Sequence, residues 1–70
     1  MKYLIVIEQT DTGFSAYSPD LDGCVATGSN REEVEQSMRE AIEFHLEGLK
    51  KEGYPIPAPK SDSTYVDIPA

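Results

Sequence analysis

A chain of 70 residues has room for one small domain, a single unit over 1–70, with one helix against a few strands. At that size folding buries only about 60% of the unfolded surface, so oligomerisation is a common source of further stability. Six Lys and Arg against thirteen Asp and Glu give a net charge of −7, which disfavours unaided binding to a phosphate backbone and suits a basic partner. The single Cys24 excludes an intrachain disulfide and points to a reducing compartment. Met1-Lys2 leads straight into the apolar run Tyr3–Ile7, which is too short for a membrane span and lacks the cleavage region of a signal peptide. The expected location is the cytoplasm, with no membrane contact.

In chain order, Tyr3–Ile7 reads as a first strand. Tyr3, Ile5 and Ile7 face one way and Leu4 and Val6 the other, so both faces are apolar, as in a central strand covered twice. Thr10-Asp11-Thr12-Gly13 supplies a turn, and Phe14–Ser18 alternates as a half-buried second strand. Phe14 and Ala16 share one face, Ser15 and Tyr17 the other. Pro19, Asp20, Asp22 and Gly23 carry the chemistry of a second turn: Pro19 presets φ, the carboxylates bond nearby N–H groups, and Gly23 tolerates positive φ. Cys24–Thr27 resumes as a third strand, and Gly28 lets the chain turn away. Connections this short favour an antiparallel meander.

Asn30 is placed to cap a helix, with Glu33 three residues on in a variant of the capping box. Val34, Met38, Ala41, Ile42, His45, Leu46 and Leu49 form one apolar stripe at spacings of three and four. Lys50 and Lys51 complement the C-terminal dipole and Gly53 ends the helix, which spans 31–52 and roughly 33 Å; Gly48 inside it weakens the pattern. Tyr54-Pro55-Ile56-Pro57-Ala58-Pro59 reads as an extended strap, and Thr64–Ile68 as a fourth strand. The expected fold is α+β, β-β-β-α-β. A right-handed crossover would set the fourth strand beside and parallel to the first, giving the order 3-2-1-4 with one helix on one face. The other face, with Leu4, Val6 and Tyr17, then needs a cover, and self-association to a dimer or tetramer is the simplest.

Candidate chemistry is sparse. Asp20, Asp22 and Gly23 resemble the start of a calcium loop, but the third acidic ligand and the later bidentate Glu are missing. Glu8, Asp11, Asp20 and Asp22 fall at different sheet ends, unlike a two-metal carboxylate cluster. Cys24 and His45 suggest a nucleophile pair, but no third group orients the imidazole and no Gly-rich oxyanion loop follows. One Cys and one His are too few for zinc. No catalytic residue, metal or cofactor is expected. Phe44 falls off the core stripe, where an exposed aromatic suits contact better than catalysis.

Taken together, Tyr17-Ser18-Pro19-Asp20-Leu21-Asp22-Gly23-Cys24, Thr27-Gly28, Glu32-Glu33, the run Ala41–Leu49 and the Ile56-Pro57-Ala58-Pro59 strap resemble the HicB antitoxin family. The likeness covers nearly the whole chain; family members commonly carry Thr where Asn30 stands, which leaves a cap in place. It implies a partial ribonuclease-H-like fold and, as partner, HicA, a small basic toxin that cleaves messenger RNA. Many relatives carry a C-terminal DNA-binding domain, whereas this chain resembles the short stand-alone members, so direct nucleic-acid binding is not implied.

The expected function is therefore an antitoxin-like binding protein that neutralises a HicA-type toxin by direct contact. The expected contact residues are Tyr17, Asp20, Leu21 and Asp22 at the turn, with Glu43, Phe44 and Glu47 on the helix flank. The reading treats Leu21 as exposed and Phe44 as an aromatic anchor ringed by acid. The rival class is a vestigial ribonuclease-H-like, metal-dependent nuclease, which the missing carboxylate cluster disfavours. A third reading is an orphan oligomer of the same fold with another partner.

Overall fold

The computed structural model describes residues 1–69. Its elements are β1 (Val6–Gln9), β2 (Phe14–Tyr17), β3 (Val25–Gly28) and α1 (Arg31–Glu52), an α+β meander followed by one helix. The three strands form an antiparallel sheet in the order β1-β2-β3. Ile7 pairs with Ala16 and Ala16 with Ala26, a row of apolar side chains under the helix. Val6, Tyr17 and Val25 form the neighbouring row. By strand alternation that row faces away from the helix, and Tyr17 and Val25 are exposed there.

Three expectations are corrected. The paired part of the first strand is Val6–Gln9 rather than Tyr3–Ile7, because β2 ends at Tyr17 and leaves Tyr3–Ile5 no ladder partner on that side. Instead the Ser18 hydroxyl donates to the Leu4 carbonyl at 2.9 Å. β2, not the first strand, is central. Residues 64–68, read as a fourth strand, belong to no ladder and are exposed throughout, so the order 3-2-1-4 is not formed within the chain. The physical reason lies just upstream: Asp20, beyond β2, holds the amides of Lys60 and Ser61. The chain therefore leaves from the β2–β3 turn and not along the β1 edge.

The helix starts and stops where its caps dictate. The Asn30 side chain accepts from the Glu33 N–H at 2.8 Å, and the Glu33 carboxylate accepts from both the N–H and the hydroxyl of Ser29, each at 3.0 Å. Those two bonds hold the Glu33 carboxyl below the usual range. At the other end the Gly53 N–H donates to the Lys50 carbonyl and the Tyr54 N–H to that of Leu49, the paired closure of a Schellman motif. Val34 and Met38 are fully buried, and Ala41, Ile42 and Leu46 pack beside them, so the stripe at spacings of three and four is the core face. The core is small: Ala16, Leu21, Cys24, Val34 and Met38.

Two glycines separate close packing from mere helix weakness. A Cβ on Gly28 would lie 2.7 Å from the Val34 nitrogen and 3.0 Å from its Cα, so only glycine lets β3 approach the first turn of α1. Gly48, in contrast, has nothing within 4 Å of such a Cβ, and the helix runs through it unbroken. The same substitution should act in opposite senses. Gly28→Ala should cost about 1–3 kcal/mol through overpacking against backbone, and Gly48→Ala should gain about 1 kcal/mol through helix propensity. Urea unfolding midpoints check both; equal shifts of the same sign would contradict this packing.

Candidate functional site

The turn between β2 and β3 is built as two linked bends. The Leu21 N–H donates to the Ser18 carbonyl at 3.2 Å and the Cys24 N–H to that of Leu21 at 3.3 Å, while the Ser18 N–H reaches the Cys24 carbonyl at 3.4 Å and closes the loop. Pro19 occupies the second position of the first bend, the place that its ring favours. Gly23, with φ of 75°, occupies the third position of the second, where a side chain would be strained. Leu21 belongs to both bends, and its side chain is driven inward to 1% exposure. This corrects the expectation of an exposed Leu21: it is a core residue.

The two carboxylates of the turn have separate jobs. Asp20 accepts from the Lys60 and Ser61 amides, each at 3.0 Å, and from the Ser61 hydroxyl at 2.7 Å. The Ser61 hydroxyl first, then the Ser61 and Lys60 amides and the Lys60 charge, hold this carboxyl below its ordinary value of 3.8. Asp20 is thus the clasp of the strap. A second tie joins the Tyr3 hydroxyl to the Pro57 carbonyl. Asp22 remains exposed and faces solvent beside Gly23.

The helix is flanked by a groove on either side. On the β3 side an open groove of about 510 Å³ is lined by Cys24, Val25, Phe44, His45, Leu49 and Tyr54, among others. Phe44 is 79% exposed and Tyr54 61%, so two aromatic rings stand at this groove with Val25. Tyr17 pairs across the sheet with Val25, which continues the exposed apolar surface around the β3 edge. Glu43 lines a different groove, on the β1 side, and Glu47 lies with it beside Leu46 and Ile56. The expected ring of acid around Phe44 is therefore divided. Phe44 shares its groove with Gly23 and Cys24 of the turn, whereas Glu43 and Glu47 line the grooves on the β1 side.

Cys24 and His45 both line the β3-side groove. Burial pushes the Cys24 thiol up, which favours the protonated form and not the nucleophilic thiolate. Among the described residues no group of three or more His, Cys, Asp or Glu is placed to hold a metal ion, and no helix is long and apolar enough to cross a membrane.

Sequence reasoning passed over Val25 and Tyr54, two exposed apolar groups that line this groove. Val25 sat in a strand and Tyr54 in a Pro-rich strap, and only the register and the helix cap set them beside Phe44. The signal for Tyr54 was its place directly after Gly53, where a Schellman closure turns the chain back on the helix.

The clasp has a pH signature. A carboxyl depressed on folding contributes its stabilisation above the ordinary value and loses it as the pH falls through the lower folded value. The amide resonances of Lys60 and Ser61 should therefore shift together as the pH drops below 3.8, and Asp20→Asn should abolish that titration. Titration of these amides at or above the ordinary carboxylate value would contradict the clasp.

Comparison with known proteins places this geometry. A family model described as a HicB-like antitoxin of bacterial toxin–antitoxin systems matches residues 3–70. An uncharacterised 14.9 kDa protein of Haemophilus phage HP1 is 32% identical over 69 residues, covering 99% of this chain and 52% of the phage protein. A UPF0150 protein of Synechocystis is 39% identical over 56 residues, covering 79% of this chain and 71% of the relative. Among solved structures, a chain of the HicA3 and HicB3 toxin–antitoxin complex superposes with a TM-score of 0.72 at 40% identity, covering 86% of this chain and 70% of that one. The crystal structure of antitoxin HicB3 gives the same TM-score and identity, and there the match spans 44% of the longer chain. The chain thus spans about half the length of the phage protein, and its three antiparallel strands and single helix are those of the HicB3 neighbours. The chain belongs to the HicB-like antitoxin family of bacterial toxin–antitoxin systems.

Proposed function

We propose that this protein neutralises a HicA-type, RNA-cleaving toxin by direct protein–protein contact, in the cytoplasm, and that it acts by occupying a surface and not by chemistry of its own. The observation that carries this reading is the 40% identity and TM-score of 0.72 to a chain of the HicA3–HicB3 complex over 86% of this chain. The charge is of the right sign. A net charge of −7 complements a toxin whose surface is cationic for phosphates, and acidic side chains can hold such a surface in place of RNA.

The β3-side groove is the contact surface within this reading. Phe44 and Tyr54 supply large, rigid anchors beside an apolar floor, the composition that concentrates binding energy in few residues. Asp22 is exposed next to Gly23, which lines the turn end of the groove, and Tyr17 extends the surface across Val25. Glu43 and Glu47 act at longer range, as part of the field and not of the anchor. Asp20 and Leu21 serve by shaping the turn.

Surface-binding kinetics against a HicA-type toxin, at two salt concentrations, separates these roles. Phe44→Ala should raise the off-rate about tenfold or more with little change in on-rate. Asp22→Lys combined with Glu43→Lys should slow capture and flatten its salt dependence, with the off-rate less affected. If both variants keep their helix content and bind as the parent does, the groove is not the interface. If the parent binds no HicA-type toxin at all, the antitoxin function itself is refused.

A further inference from the structure

We propose that the outer edge of β3 receives an extended segment of the toxin as a further strand, with alternate side chains of that segment seated in the β3-side groove. The inference rests on the toxin-binding reading above and says how that contact is made. Hydrogen-bond parity leaves the edge open. The Ser18 N–H donates to the Cys24 carbonyl, and the Thr10 N–H to that of Gly13. With the registers of the two ladders, these bonds turn the backbone groups of Phe14 and Ala16 toward β3, and those of Ser15 and Tyr17 toward β1. Opposite them, Ala26 and Gly28 bond to β2, so the N–H and C=O groups of Val25 and Thr27 point out of the sheet. Among the described residues β3 pairs only with β2, and no turn or cap bond uses those groups.

The edge is also unguarded. Strand edges are ordinarily blunted by charge, proline or a bulge, because their free backbone groups are a template for another chain. β3 reads Val25-Ala26-Thr27-Gly28, without charge or proline, and Val25 and Thr27 are both exposed. β1 at the opposite side of the sheet carries Glu8.

What surrounds the edge selects the occupant. The helix packs over β3, and its second half lines the groove together with Cys24, Val25 and Tyr54. A strand added to β3 sends the side chain opposite Ala26 to the helix side, into the groove with Phe44, His45, Leu49 and Tyr54. Side chains opposite Val25 and Thr27 fall on the other face, continuing the exposed row of Tyr17 and Val25. Both positions suit apolar groups. The charge suits basic flanks: Asp22 is exposed in the turn that leads into β3, Glu52 lines the groove with Lys51, and the whole chain carries −7. The occupant is therefore a short strand with apolar side chains, flanked by Lys or Arg, from a toxin whose surface is cationic for phosphates. In this mode backbone bonds supply affinity and the groove supplies selection.

The test follows isotope-labelled protein by amide hydrogen exchange, free and in complex with an unlabelled HicA-type toxin. The Val25 and Thr27 amides should exchange readily in the free protein and slow by about a hundredfold or more in the complex. The Ala26 amide, bonded to β2 in both states, is the internal reference. Thr27→Pro removes one outward donor and no bond to β2, a position at which an edge strand tolerates proline. It should keep its helix content and lose affinity about tenfold or more. Thr27→Val keeps the backbone donor and should bind as the parent does. A parent that binds no toxin would sink the antitoxin reading and this edge contact with it. A parent that binds while Val25 and Thr27 stay open to exchange would leave that reading standing and overturn the strand addition alone, the groove then taking a helix or loop. Protection that grows with concentration in the free protein would give the edge to a second copy and overturn it as well.

Discussion

The fold depends on the inward placement of Leu21. A seven-residue connection between two short strands would ordinarily stand out in water, yet here its middle residue is as buried as the helix core. Two bends sharing Leu21 satisfy the backbone locally, through Ser18 and Cys24, so the side chain can enter the core without stranding polar groups. Once Leu21 is in, Asp20 on the same bend points outward to take Lys60 and Ser61. Ser18, buried at the start of the bend, anchors Leu4. One small loop thereby fastens the N-terminal segment and the strap to the same end of the sheet.

That fastening sets the division of surfaces. The helix lies over β2 and β3 because Gly28 allows backbone to approach the first helical turn. With the helix set to that side, β1 is left partly uncovered, and each flank of the helix becomes a groove. The β3-side groove is edged by Phe44 and Tyr54, the β1-side groove by Tyr3 and Ile5 of the segment that leads into β1. A five-residue core cannot close either. In a domain this small the apolar surface that the chain leaves open is where its partners are to be sought.

Much of this was legible in the residues. The helix bounds followed from Asn30, Glu33 and Gly53, because caps are local chemistry and need no tertiary information. The hairpin meander followed from turn residues at short spacing, and the family likeness from the ordered string of turn, helix and strap. The candidate contact residues were only half legible. Phe44 and Asp22 could be read as exposed, but Leu21 could not be read as buried, since nothing in Asp-Leu-Asp states which way its middle side chain turns. Asp20 was read as a turn former and partner contact for the same reason: its bonding partners Lys60 and Ser61 lie some forty residues away along the chain.

The sequence by itself determined the strand and helix count up to the last segment, the acidic balance and the core stripe of the helix. These rest on periodicity, capping and composition, which act over a few residues. Only the tertiary structure decided which strand is central, which groove each helix flank faces, and that residues 64–68 stand away from the sheet. Those depend on non-local contacts: the clasp between Asp20 and Ser61, the approach of Gly28 to Val34, and the register that sets Tyr17 beside Val25. The strand-like character of Thr64–Ile68 was present in its alternation. Whether such a segment finds an edge is settled by where the rest of the chain releases it, and local pattern carries no record of that.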